Sequence, residues 1–374
     1  MAINITGVNI NGVNIYDSLG LYTFSSFTFL TGNISGQRGP TGAQLFANSY
    51  TSNVGNTWIQ NTNYYNTYGN GFQFWTVPST GTYQITAAGA RSGIPTFSLG
   101  SNTTLNLANG NATVGWGAIV SGTFTLNQGQ VLSLVVGQMS ANAGVGASYS
   151  STGGGGASWV VTGANVALLV AGGGAGGANW TGGTPQSVKG GNGVTRTSGG
   201  SSFYGAPGGA NGIGGNSHVH ANGQVSQNSY DAGAGGGLYA NGVTGSGGNS
   251  RITTSGLSTG GGGAAYIYGA NGGGIQNETS YTAGISAGGF GGGGGASPIA
   301  SGGGGGYSGG AGTFNTTGTA IDAGGGGGSY IDGNATSIAT SDGFYNNINT
   351  FNGSSISNLA AFNYGHGYIT ITKV

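Results

Sequence analysis

The sequence predicts an all-β protein: a β-sandwich carrying an inserted bundle of polyglycine-II helices, with essentially no α-helix. Three observations lead there. Glycine fills 90 of 374 positions and gathers in bare runs, the longest being Gly153–Gly156, Gly172–Gly174, Gly260–Gly263, Gly291–Gly295, Gly302–Gly306 and Gly324–Gly328. Outside the runs, apolar and polar residues alternate with the period of two that marks a half-buried strand, as in GTYQITAA (Gly81–Ala88) and GYITITKV (Gly367–Val374). No stretch carries the 3.6-residue apolar period of a helix of useful length.

A glycine run cannot be a helix interior, because glycine loses the most backbone entropy on folding. Nor can it be an ordinary sheet core, having no side chains to bury. An extended helix with three residues per turn suits it, since its donors and acceptors then point all round and neighbouring helices can pack at backbone distance. Composition alone would favour a flexible linker. The flanks argue otherwise. Four runs lead through a small residue or directly into aromatic or apolar residues: GGGGASWVV (Gly153–Val161), GGGGAAYIY (Gly260–Tyr268), GGGGGYSGG (Gly302–Gly310) and GGGGGSYID (Gly324–Asp332). A tether has no use for Trp159, Tyr266, Ile267, Tyr307, Tyr330 and Ile331. A packed bundle uses them to close its ends or sides.

Taken in order, residues 1–20 repeat every five residues (INITG, VNING, VNIYD), with Asn11-Gly12 placed to turn a hairpin. This segment reads as an attachment piece, docking on its own sandwich or on a neighbouring protein. Residues 21–143 read as the sandwich. Tyr22–Leu30 and Phe72–Val77 are aromatic-rich strands, and Val114–Leu126 with Gln130–Val136 read as a hairpin around Asn127–Gly129. Tyr50–Gly71, rich in Asn, Thr and Tyr, reads as a long surface loop. Residues 144–335 form the glycine region, within which Ala167–Ala171 (ALLVA) is a buried strand returned to the sandwich. Residues 336–374 hold the closing strand, expected to pair where the chain began.

Charge and cysteine content narrow the function. Six Lys/Arg and six Asp/Glu give zero net charge, with no basic stripe for nucleic acid. Cysteine is absent, which removes disulfides and thiolate metal sites. No apolar stretch approaches the ~18–20 residues of a membrane span. MAINITGVNI has neither a basic n-region nor an apolar h-region, so no signal peptide is legible and a protein assembled inside a cell or released by lysis is expected. The matches to G-x-G-x-x-G mean nothing at this glycine content, and the scattered carboxylates form no catalytic pair. Neither enzyme chemistry nor a cofactor is expected.

Several stretches follow one another in a familiar order: FTFLTGNISGQRGPTGAQ (Phe27–Gln44), FWTVPSTGTYQITAAGA (Phe74–Ala90), SGTFTLNQGQVLSLVVGQ (Ser121–Gln138), GGGGASWVV, ALLVAGGGAGG (Ala167–Gly177) and GGGGGSYIDG (Gly324–Gly333). This order resembles the glycine-rich domain family whose best-known member belongs to anaplastic lymphoma kinase-type receptors. The resemblance covers about Phe27 to Gly333 plus the closing strand. It implies a tumour-necrosis-factor-like, jelly-roll sandwich with inserted polyglycine-II helices. The chain departs from the receptors in lacking cysteines, a kinase and a membrane span, and so looks like glycine-rich domains of phage and large-virus surface proteins. In style of structure alone, it is also similar to the adhesins at the tips of T-even phage tail fibres.

These readings combine in one expectation. The protein is a non-enzymatic virion-surface or extracellular protein, a fibre or adhesin that contacts a host glycan or receptor. It is expected to form a homo-oligomer, a trimer being favoured, and to bind other virion or surface-assembly proteins through residues 1–20. Recognition is assigned to aromatic and imidazole side chains between the runs: Phe203, Tyr204, His218, His220, Tyr230 and Tyr281. Their flat apolar faces and polar rims suit sugar rings or protein surfaces. Packing across runs or against a sister subunit is the alternative use of the same aromatics. His218 and His220 share one face of an extended segment and form a weak metal pair, with Asp231 the nearby carboxylate. His366, between glycines ahead of the last strand, is read as structural. A purely structural capsid-decoration, cell-surface or matrix protein is the alternative, and an ice-binding protein a remote one.

Overall fold

The computed structural model describes residues 9–10, 13–14, 20–50, 55–69, 71–95, 114–143, 149–180, 186–203, 205–217, 231–245, 259–276, 285–313, 323–341, 363 and 365–374. Two antiparallel sheets dominate. One has five strands, in the order Thr336–Ser341, Ile119–Leu126, Gly81–Ala88, Tyr368–Lys373 and Ser26–Phe29. The other has six, in the order Tyr330–Ile331, Ala167–Ala171, Ser158–Thr162, Val131–Val135, Phe72–Thr76 and Tyr65–Tyr68. The closing strand lies between Gly81–Ala88 and Ser26–Phe29, with Ile371 opposite Ile85 on one side and Phe27 on the other. Near the N-terminus, Asn9 pairs with Asn14 and Ile10 with Val13 in antiparallel fashion.

Alternation along the strands builds the core between the sheets. Phe27, Phe29, Tyr83, Ile85, Phe124, Ile369 and Ile371 of the five-stranded sheet meet Trp75, Leu132, Leu134, Val160 and Leu169 of the six-stranded sheet in one buried cluster. Each such side chain contributes about 1.5–3 kcal/mol on burial. One amide lies within this core with its bonds made. Gln73 Oε1 accepts from the hydroxyls of Tyr50 and Tyr65, both at 2.8 Å, and its Nε2 donates to Leu30 O at 3.0 Å.

Two expectations need correction. Val114–Leu126 and Gln130–Val136 do not form a hairpin. Ile119–Leu126 pairs with Gly81–Ala88 and Thr336–Ser341, whereas Val131–Val135 pairs with Phe72–Thr76 and Ser158–Thr162. The turn at Asn127–Gly129 crosses between the sheets, held by Gly129 N donating to Val77 O and Val77 N to Gln130 O. The crossing lets Phe124 and Leu126 face Leu132 and Leu134 across the core, which a flat hairpin would forbid. Nor is Tyr50–Gly71 a surface loop. Tyr50, Trp58, Ile59 and Tyr65 are all buried in the core, with Trp58 and Ile59 on a 3-10 turn (Thr57–Gln60) and Tyr65 on an edge strand. The only α-helix among the described residues is Gly42–Asn48, started by a capping box between Thr41 and Gln44.

Beyond the strand ends the chain continues into the glycine bundle. Gly302–Gly306 shows its construction. Gly302 N and Gly305 N donate to Thr152 O and Gly155 O; Gly303 N and Gly306 N to Gly233 O and Gly236 O; Gly304 N and Tyr307 N to Gly325 O and Gly328 O. Partners recur at every third residue, the period of an extended three-residue-per-turn helix. The carbonyls of the same run accept from yet other segments: Gly176 N on Gly302 O, Gly294 N on Gly303 O and Gly310 N on Gly304 O. A Cβ placed on Gly304 would lie under 3.0 Å from Gly173 O, so backbone itself fills the space between helices. Buried serines complete the bonding at run ends. The hydroxyls of Ser286, Ser301, Ser308 and Ser329 accept from the amides of Gly153, Gly324, Gly212 and Gly172.

The six-stranded sheet is covered on its second face by the bundle. Val135, Trp159, Val161 and Val170 turn away from the sandwich core and pack with Leu238, Tyr266, Ala270 and Phe290. Of the aromatics that follow the runs, Trp159, Tyr266, Tyr307 and Tyr330 all join this second cluster. Ile331 packs instead on the sandwich core, and Ile267 is exposed.

Candidate functional site

The bundle has two distinct ends. At one, the runs pass into sheet strands, as Gly153–Gly156 does into Ser158–Thr162. At the other, short links join the described residues that border the connecting segments. Ala143 N donates to Ile94 O, Ala232 N to Thr313 O, Thr313 N to Ser301 O, and Gly260 N to Asp231 O. Asn179 pairs with Ser150 and Ser187, Gln276 with Thr259, and Ile285 bridges to Ser151. The chain therefore enters and leaves most of its inter-run segments at the end away from the sandwich.

Of the sequence-derived candidates, Phe203 is the one among the described residues. Phe203 is 77% exposed, and its amide donates to Ala323 O at 3.1 Å. Tyr204, His218, His220, Tyr230 and Tyr281 lie outside the described residues. Their described neighbours are Phe203 and Gly205, Ser217 and Asp231, and Gln276 and Ile285, of which Phe203, Asp231, Gln276 and Ile285 take part in the links just given. Asp231 is fully buried. No group of three or more His, Cys, Asp or Glu side chains suited to a metal occurs among the described residues.

His366 is packed where the bundle meets the closing strand. Met139 N donates to its Nδ1 at 3.3 Å, while Asn363 Nδ2 donates to its carbonyl. Burial, reinforced by the positive charge of Arg91, holds its pKa down to about 4. The ring is therefore neutral at pH 7. Lys189 lies 4.2 Å from the centroid of buried Trp116, and desolvation lowers its pKa.

Sequence reasoning missed a concave surface on the open part of the outer face of the six-stranded sheet. Tyr68, Phe72 and Phe74 line it together with the Tyr266–Ser133 hydroxyl pair at 2.7 Å and with Gln37, Arg38 and Asn271. The alternating pattern of Phe72-Gln73-Phe74-Trp75 was the available signal, since it puts two aromatics on the face opposite the core.

No protein-family model matches the chain, and no curated protein matches it. Among the described residues no helix is long and apolar enough to cross a membrane.

Proposed function

We propose that this protein is a non-enzymatic structural component of a virion surface, a fibre or adhesin that contacts a host glycan or protein through the segments between glycine runs. One observation carries the reading: the borders of those segments gather at the bundle end away from the sandwich, on a platform whose cross-links are backbone hydrogen bonds. Such a platform constrains the positions of loop ends without constraining loop sequence, and a rigid support lowers the ordering cost of binding. In the same reading the sandwich, jelly-roll in type, assembles with sister copies as a trimer, and residues 1–20 attach it to other surface proteins.

With so few charges, contact through these segments rests on aromatic faces and neutral hydrogen bonds. Attachment to host cells or isolated surface glycans should therefore survive added salt. The double variant Tyr204→Ala/Tyr230→Ala, or Phe203→Ala beside it, should weaken attachment while the thermal midpoint stays in place. Unchanged attachment in all these variants would favour the purely structural role instead.

A further inference from the structure

The cleft on the outer sheet face encloses about 610 Å³, within the range of about 300–1,000 Å³ typical of small-molecule sites. It adjoins a second hollow of about 400 Å³, and Tyr68 and Phe74 line both, so one aromatic strip runs through the two. Its surroundings are unusual for this chain. Tyr68 is 77% exposed on the edge strand, and the Phe74 ring beside it is half-buried. Around these rings stand the neutral amides of Gln37, Asn165 and Asn271, all exposed. Among the described residues of the lining Arg38 is the one charged side chain, in a protein with only six Lys and Arg.

Rigid anchors hold this arrangement. Gln138, with its amide oriented to donate, bonds Gly36 O at 3.1 Å and Arg38 O at 3.0 Å. Gly272 N donates to Gln37 O and Phe290 N to Gly36 O, so the segment bearing Gln37 and Arg38 is stitched to the bundle. The Tyr266 hydroxyl bond to Ser133 fixes the inner wall. The cleft is thus preformed, and its walls come from the sheet, the bundle and the Gly36–Arg38 segment together.

We infer that this cleft binds a saccharide whose ring carries a carboxylate. Aromatic faces accept the C–H face of a pyranose, and the amides match ring hydroxyls in both donor and acceptor sense. The Arg38 guanidinium offers a planar fork to a carboxylate, and no acid lies in the lining among the described residues. The lining shares no residue with the described borders of the inter-run segments that carry the sequence-derived candidates.

Saturation-transfer NMR and titration of the full chain with N-acetylneuraminic acid, glucuronic acid and glucose test the assignment and tell a sialic from a uronic ligand. At least one acid should bind about tenfold more tightly than glucose, with affinity falling as salt is added. Arg38→Gln should close that gap. Tyr68→Ala should remove binding of all three sugars with the thermal midpoint unchanged, because the side chain is largely exposed. If neither acid binds below ~10 mM, binds no better than glucose, or binds both variants as it does the parent, the assignment is wrong.

Discussion

The rings of Trp159 and Tyr266 lie 5.3 Å apart with an interplanar angle of 37°, one on the six-stranded sheet and the other on a 3-10 turn that follows a glycine run. This contact, with the Tyr266 hydroxyl bond to Ser133, ties bundle to sandwich. Burial pushes the Tyr266 phenol up to about 12, so it stays a donor across the physiological range. Tyr266→Phe should cost about 1 kcal/mol through the lost bond, and Tyr266→Ala about 3–5 kcal/mol. Denaturant unfolding followed by tryptophan fluorescence and by far-UV dichroism should give coincident transitions, both shifted. A shift in one probe alone would mean that the two layers unfold independently.

Glycine positions divide sharply by surroundings. At Gly293 a Cβ would overlap the carbonyl of Gly154, whereas at Gly163 it would meet nothing within 4 Å. Gly293→Val should abolish soluble folded protein. Gly163→Ala should leave stability within about 0.5 kcal/mol. Comparable melting of the two variants would place Gly293 outside a bundle.

Amides in the runs should resist hydrogen exchange although they carry no side chains to shield them. Gly302–Gly306 all donate to carbonyls of neighbouring runs and are buried on every side. Their exchange should require global opening and so be slowed by several orders of magnitude relative to the free peptide. Exchange within the dead time of the experiment would contradict the lateral bonding.

Acid should destabilise the fold through His366. Its folded pKa, about 4, lies below the ordinary value of 6.5, so the unfolded chain binds the proton more readily. Stability from this group is complete above about pH 6.5 and is lost as pH falls toward 4, by at most about 3 kcal/mol. With six Asp and Glu and three His in the chain, few other groups compete in that window. His366→Gln, which keeps an acceptor for Met139 N, should flatten the profile of unfolding free energy between pH 7 and 4. An unaltered slope in that variant would assign the acid sensitivity elsewhere.

Some of this architecture can be read from the chain, and some cannot, for identifiable reasons. Alternation in Gly81–Ala88 and Tyr368–Lys373 reports strands because side chains on one face must find the core. Trp159, Tyr266, Tyr307 and Tyr330 after their runs report packing because such residues have no place in a solvated tether. The partners of each run are illegible: glycine offers no side chain to complement, and Gly303 and Gly305 bond to residues as distant as Gly233 and Gly155 through groups every residue has. The Asn127–Gly129 turn looks like a hairpin because local turn chemistry does not record which sheet the next strand joins. Likewise the cleft assembles Arg38, Tyr68 and Tyr266 from separate parts of the chain, and no local pattern links them.

A bundle closed by peptide groups also changes what unfolding exposes to water. Apolar surface raises the heat capacity of unfolding by about 0.45 cal/K/mol/Å², while polar surface lowers it by about 0.26. Opening Gly302–Gly306 and its neighbours wets mainly amides and carbonyls, so this layer contributes less per residue than the ~12–15 cal/mol/K of ordinary domains. Its free energy of unfolding then curves less with temperature. The bundle should hold its loop ends in place nearly as firmly in the cold as in warmth, where a protein held chiefly by hydrocarbon burial loses grip at both extremes.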